Sequence, residues 1–128
     1  MKYLKLFETH LNKELTKEIK ADIADIFLEV KDAGFNVSVL NKTGWFMDKP
    51  QKRCICIEID RRLNSVVYFY IDDSILEEAI LRLKEYCKEF VIVTEVDESD
   101  EFFNIEDAFD EYGNGEEIFK LEIIVHEK

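Results

Sequence analysis

Three cysteines and two histidines are the residues of this chain best suited to nucleophilic, redox or metal chemistry: Cys54, Cys56, Cys87, His10 and His126. Cys54-Ile55-Cys56 sits in a run that reads as a strand, so both thiols point to one face. A structural zinc site takes about four ligands. The C-x-C pair supplies two, the third cysteine is distant, and only the two histidines remain to complete a set. The odd number of cysteines also argues against a disulfide framework. Buried, reduced thiols in a reducing cytoplasm are therefore expected, with no metal and no cofactor. Cys87 falls on the apolar face of a helix, the setting of an inert thiol. His10 lies on the first helix and His126 near the end of the chain, both read as surface positions. Four glycines in all leave no room for a phosphate-cradling or dinucleotide-binding loop. Carboxylates are plentiful, but nothing in their spacing implies the raised pKa in a cleft that acid–base hydrolysis needs. No catalytic constellation emerges, and the chain reads as non-enzymatic.

The carboxylates carry a different message. Twelve of the 29 lie between Glu89 and Phe119, where no Lys or Arg occurs, which leaves 17 elsewhere against 17 Lys and Arg. One segment thus accounts for the whole formal charge of −12. A solvating tail has few aromatic residues, yet this segment also holds Phe102, Phe103, Ile105, Phe109 and Tyr112. It is expected to fold onto the body or onto a partner. Asp97-Glu98-Ser99-Asp100-Glu101 offers oxygen ligands at alternate positions. A calcium loop opening at Asp97 would need Gly at its sixth position and Glu at its twelfth, and the chain has Phe102 and Ala108 there. The EF-hand pattern fails. The segment suits protein binding instead: carboxylates steer a basic partner and aromatics anchor it. Asp97, Glu98, Asp100, Glu101, Phe102, Phe103, Asp107, Asp110, Glu111 and Tyr112 are the candidate contact residues. Mimicry of DNA, to occupy a nucleic-acid-binding protein, is a specific form of this reading. Direct nucleic-acid binding is not expected at this net charge. Lys49, Lys52, Arg53, Arg61 and Arg62, with Trp45 nearby, form the one basic concentration and read as a solvated hairpin end.

These residues need a scaffold, and 128 residues suit one domain, 1–128, able to bury a core without metal or disulfide. The amino-terminal residues lack the unbroken apolar run of a secretory signal. No stretch approaches the ~20 apolar residues of a membrane span. Tyr3, Phe7, Leu11 and Leu15 give a helical stripe over 2–15. Ile19, Ile23, Ile26, Phe27 and Val30 give another over 17–33, stopped by Gly34. Four-residue steps drift ~40° each around a helix, so a break is expected near Thr16, a suitable N-cap. Ala21, Ala24 and Leu28 lie opposite Ile19. Either they are simply exposed, or that side of the helix is covered by another helix or subunit.

Strands are expected at Phe35–Leu40, Arg53–Asp60, Val66–Ile71, Val91–Val96 and Ile118–Val125, with a loop over 41–51. Val66–Ile71 is apolar on both sides, as in a central strand or one whose Tyr68/Tyr70 face meets another surface. A helix follows Asp72, Asp73 and Ser74 and runs to about Glu89. A shorter one, capped by Asn104, covers Ile105–Tyr112. The order α-α-β-β-β-α-β-α-β predicts an α+β two-layer sandwich, a mainly antiparallel sheet of about five strands with helices on one face. Homo-oligomerisation through Ala21, Ala24 and Leu28, or through Tyr68 and Tyr70, is the alternative role.

The opening Met1-Lys2-Tyr3-Leu4-Lys5-Leu6-Phe7-Glu8 resembles the leader of many small proteins of large tailed bacteriophages, some of which are packaged into the prohead. That resemblance implies a phage or bacterial accessory protein. The partial order α-β-β-β-α-β-β is similar to that of small acidic secretion chaperones, which work as dimers. The present chain departs from them in its extra N-terminal helix, in the acidic helix before the last strand and in lacking a C-terminal helix.

Overall fold

The computed structural model describes residues 13–46, 49–62, 65–99 and 101–127, with the backbone alone for 13–16, 42–46, 49–53 and 127. His10 and the stripe Tyr3, Phe7 and Leu11 lie outside these residues, as does Asp100. The elements are α1 (Lys13–Ile26), α2 (Leu28–Asp32), β1 (Phe35–Phe46), β2 (Lys49–Arg61), α3 (Ser74–Tyr86), β3 (Phe90–Val96), β4 (Phe102–Asn104), α4 (Ile105–Tyr112) and β5 (Lys120–Glu127). The fold is α+β, with a five-stranded antiparallel sheet in the order β1-β2-β5-β3-β4.

Alternation along the strands separates two faces. Register aligns Val39, Ile57, Ile123, Thr94 and Phe103 in one row across the sheet. On this face Ile55, Ile57, Ile59, Leu121, Ile123 and Val125 meet Ile19, Ile23 and Phe27 of the first helical stretch, Leu76, Ile80 and Leu83 of α3, and Ile105 and Ala108 of α4 in one continuous core. All the described helices longer than one turn thus share one face. On the other face Cys56, Val93 and Ile124 form a small second cluster, with Cys54, Val91 and Phe102 packed around it.

The helix break falls at Phe27 rather than Thr16. Strong helix formers flank Thr16, and the helix runs through it. The drift of the apolar stripe is corrected later, where the buried series Ile19, Ile23, Phe27, Val30 changes its step from four to three residues. A three-residue step turns back ~60° and returns Val30 to the sheet. Phe27 N–H still donates to Ile23 C=O at 3.1 Å, and Lys31 N–H to Phe27 C=O at 3.0 Å, so the interruption is slight. Gly34, at φ 103°, then takes the left-handed turn into β1.

Three strand expectations change. The loop expected over 41–51 is mostly sheet: β1 and β2 pair out to Gly44↔Lys52 and Phe46↔Lys49. Its polar residues lack alternation, and backbone pairing carries the hairpin on without it. Val66–Ile71 is not a central strand. Its Phe69 forms an isolated bridge with Ile118, just ahead of β5, closed by two backbone hydrogen bonds of 2.8 and 2.9 Å. Phe69 and Ile71 enter the core, while Val66, Val67 and Tyr70 remain exposed, so its second apolar side is solvent-facing. The three-residue β4, pairing Glu95↔Phe102 through Val93↔Asn104, is an added edge strand.

Helix caps follow the sequence closely. Asp73 Oδ1 accepts from Ile75 N–H (3.1 Å) and Leu76 N–H (3.4 Å) at the start of α3. Asn104 Oδ1 accepts from Asp107 N–H at 2.8 Å at the start of α4. Gly113 is the C-cap of α4, and a side chain would not fit there, because a Cβ would lie 2.2 Å from the Phe109 carbonyl oxygen.

Candidate functional site

The acidic segment folds onto one end of the sheet as β3, a turn, β4, α4 and the loop into β5. Asp97 and Glu98 both take left-handed backbone angles, φ 53° and 56°, which side chains other than Gly and Asn seldom adopt. The turn is held by Asp97 itself. Its Oδ1 accepts from Phe119 N–H at 2.6 Å and Lys120 N–H at 3.0 Å, while its own N–H donates to Lys120 C=O at 2.9 Å. Asp97 is therefore a structural clamp between the end of β3 and the start of β5. Glu98 lies 3.6 Å from Lys120 Nζ. The carboxylates of Asp97, Glu98 and the exposed Glu101 are thus divided between holding the turn and facing solvent.

α4 turns its apolar positions inward, and Glu106, Asp107, Asp110 and Glu111 outward. Glu106 pairs with Lys84 of α3, and that contact lowers its pKa below the ordinary glutamate value. Asp110 and Glu111 stand in the last turn, which has no basic residue. Negative charge there opposes the helix dipole. The fold bears this cost without repaying it inside the helix.

The aromatic residues of the segment serve the fold more than the surface. Phe103 and Tyr112 meet edge to face, centroids 5.7 Å apart, and both pack on the main core with Phe109. Phe102 packs on the second cluster. Burial, with Glu116 and Glu111 close by, raises the Tyr112 pKa. The exposed aromatic is Phe119, with 52% of its surface accessible, directly after Glu116, Glu117 and Ile118. The expected strand Ile118–Val125 includes it. The strand begins at Lys120, two residues after the expected start, which leaves Phe119 outside it.

The C-x-C thiols lie on the sheet face away from the helices. Cys56 is fully buried and its thiol donates to Glu122 Oε1 at 3.0 Å. Ligand atoms of Cys56, Glu58 and Glu122 all lie within 4.8 Å of one another, three donors where zinc takes four. Glu58 faces Glu122 through strand register, a relationship invisible without the pairing. His126 is buried opposite Cys54 rather than at the surface. Cys87 is buried under α3, and desolvation pushes its pKa up to about 12. Arg61 of the basic concentration stacks 5.4 Å over the Phe35 ring. Arg62 is exposed, and the side chains of Trp45, Lys49, Lys52 and Arg53 lie outside the described residues.

Ala21, Ala24 and Leu28 are exposed and line one side of a groove of about 480 Å³ between the first helices and β1. Tyr68 and Tyr70 stack edge to face at 5.9 Å, with Tyr70 exposed. Among the described residues no helix is long and apolar enough to cross a membrane. No family model matches the chain, and neither a curated protein nor a solved structure does.

Proposed function

We propose that the chain is a non-enzymatic protein-binding module that presents the acidic end of its sheet to a basic protein partner, as a phage or bacterial accessory or inhibitor protein acting in the cytoplasm. The observation that carries this reading is the exposure of nine carboxylates between Asp97 and Glu117, on a surface where Lys84 and Lys120 are committed to Glu106 and Glu98. Mutual repulsion disfavours the compact state. Asp110 and Glu111 add an unfavourable helix-dipole term. Charge held against both costs suits a surface that steers a partner of opposite sign. A nucleic-acid-binding protein, engaged by mimicry of its ligand's charge, is the specific form of partner this chemistry fits. The chaperone-like or structural homo-oligomer is the second reading, favoured by the exposure of Leu28 and Tyr70.

Affinity capture tests the first reading. Tagged wild type is compared with a variant carrying Glu101→Gln, Asp107→Asn, Asp110→Asn and Glu111→Gln. A basic protein retained by wild type, and depleted on the variant and at raised salt, is the expected result. Identical capture by both removes the acidic surface from the interaction.

A further inference from the structure

We infer that this chain associates with a second copy of itself by seating Phe119 of one molecule in the groove between α1 and β1 of the other. This contact rests on the homo-oligomer reading above, and it shares Glu98, Glu116 and Glu117 with the acidic surface offered to a basic partner.

The described lining of the groove combines apolar and basic residues. Leu28, 52% exposed, lines it together with Val37 and Val39 of β1. Among the described residues, Lys17, Lys20 and Lys31 line it with one carboxylate, Asp25. In a chain of net charge −12, a described lining of three lysines and one carboxylate is a local reversal of sign. Beside it, β1 is an edge strand of the sheet.

Phe119 carries the complementary features. It is a half-exposed aromatic ring, fixed at its base by the Asp97 carboxylate on its backbone N–H at 2.6 Å. Glu116 and Glu117 are exposed just before it, and Glu98 is exposed on the neighbouring turn. A Phe119 knob with Glu116 and Glu117 before it, and Glu98 paired to Lys120 beside it, thus matches an apolar, lysine-lined groove in both hydrophobicity and sign. A buried aromatic anchor within a charged rim is the usual plan of an interface centre. The two surfaces are different patches, so each molecule offers one of each.

The test is sedimentation equilibrium at low ionic strength, over concentrations up to ~1 mM, the range of a weak contact. Wild type should gain weight-average mass with concentration and lose that gain in high salt. Phe119→Ser and Leu28→Glu should each remain monomeric, and urea midpoints matching that of wild type should show that both fold. Mixed one to one, the two variants should associate again, because one retains the groove and the other retains the knob. Wild type that stays monomeric throughout overturns the inference, as do variants that still associate alone or a mixture that stays monomeric. A monomeric wild type leaves the capture result for a basic partner standing, so the two readings fail separately.

Discussion

Asp97 and Phe119, 22 residues apart, are joined by a 2.6 Å hydrogen bond from the Phe119 backbone N–H to the Asp97 carboxylate. This bond turns part of the acidic segment into scaffold. Asp97 is the residue that lets the β3–β4 turn, with its two left-handed residues, rest against the start of β5. Most of the surrounding carboxylates have no such duty, and the distinction decides which of them can be altered without disturbing the fold.

Removing the Asp97 carboxylate should therefore destabilise the chain despite its exposure. Asp97→Ala loses two charge-assisted bonds and puts a less tolerant residue at φ 53°. A loss of about 1–3 kcal/mol is expected in urea denaturation. Asp97→Asn tolerates the left-handed backbone and should lose less. Equal stability of Asp97→Ala and wild type would mean the clamp contributes nothing.

The shared core makes a second prediction. Leu83 is fully buried in the layer that α3 forms on Ile57, Ile59 and Ile123. Leu83→Ala should cost about 2–5 kcal/mol, read as a fall in the urea midpoint. An unchanged midpoint would show that α3 does not cover this face.

Much of this architecture is legible in the chain, because burial is periodic. Ile55, Ile57 and Ile59 alternate as an inward row must, and α4 begins and ends at its cap and glycine. Thr16 misleads because its capping chemistry is local, whereas the break follows the change of step at Val30. Val66–Ile71 misleads because apolar residues on both sides imply two covered faces, and one of them here is open. At the acidic end the composition reveals the charge and hides the roles. The inward turn of Phe103 follows its pairing with Thr94 of β3, and the Asp97 clamp and the freeing of Phe119 depend on where β5 starts. Glu58 beside Glu122, and the groove facing Val37, depend on pairings between distant segments that no spacing encodes.

The Lys84–Glu106 pair gives a pH prediction. Its folded pKa is lowered, chiefly by the hydrogen bond from Lys84. A depressed carboxylate contributes stability that is present above its unfolded pKa and lost as pH falls through the folded one. Both groups are partly exposed, so the contribution should stay within about 1 kcal/mol. Glu106→Gln should be less stable than wild type at pH 7, and the difference should vanish in acid, below the ordinary glutamate range. A gap that persists at low pH would assign the effect to packing instead of charge.

The central claim is that the exposed carboxylates steer a basic partner, and association kinetics test it most directly. The captured partner is measured against wild type and the Glu101→Gln, Asp107→Asn, Asp110→Asn, Glu111→Gln variant, which spares Asp97, at two ionic strengths. Exposed charges are screened over ~10 Å at 0.1 M salt. The account predicts that the variant associates roughly 3- to 10-fold more slowly at low salt, with a smaller change in dissociation, and that high salt closes most of the gap. Association rates that are equal at both ionic strengths would contradict it and leave the acidic end as a solubilising surface.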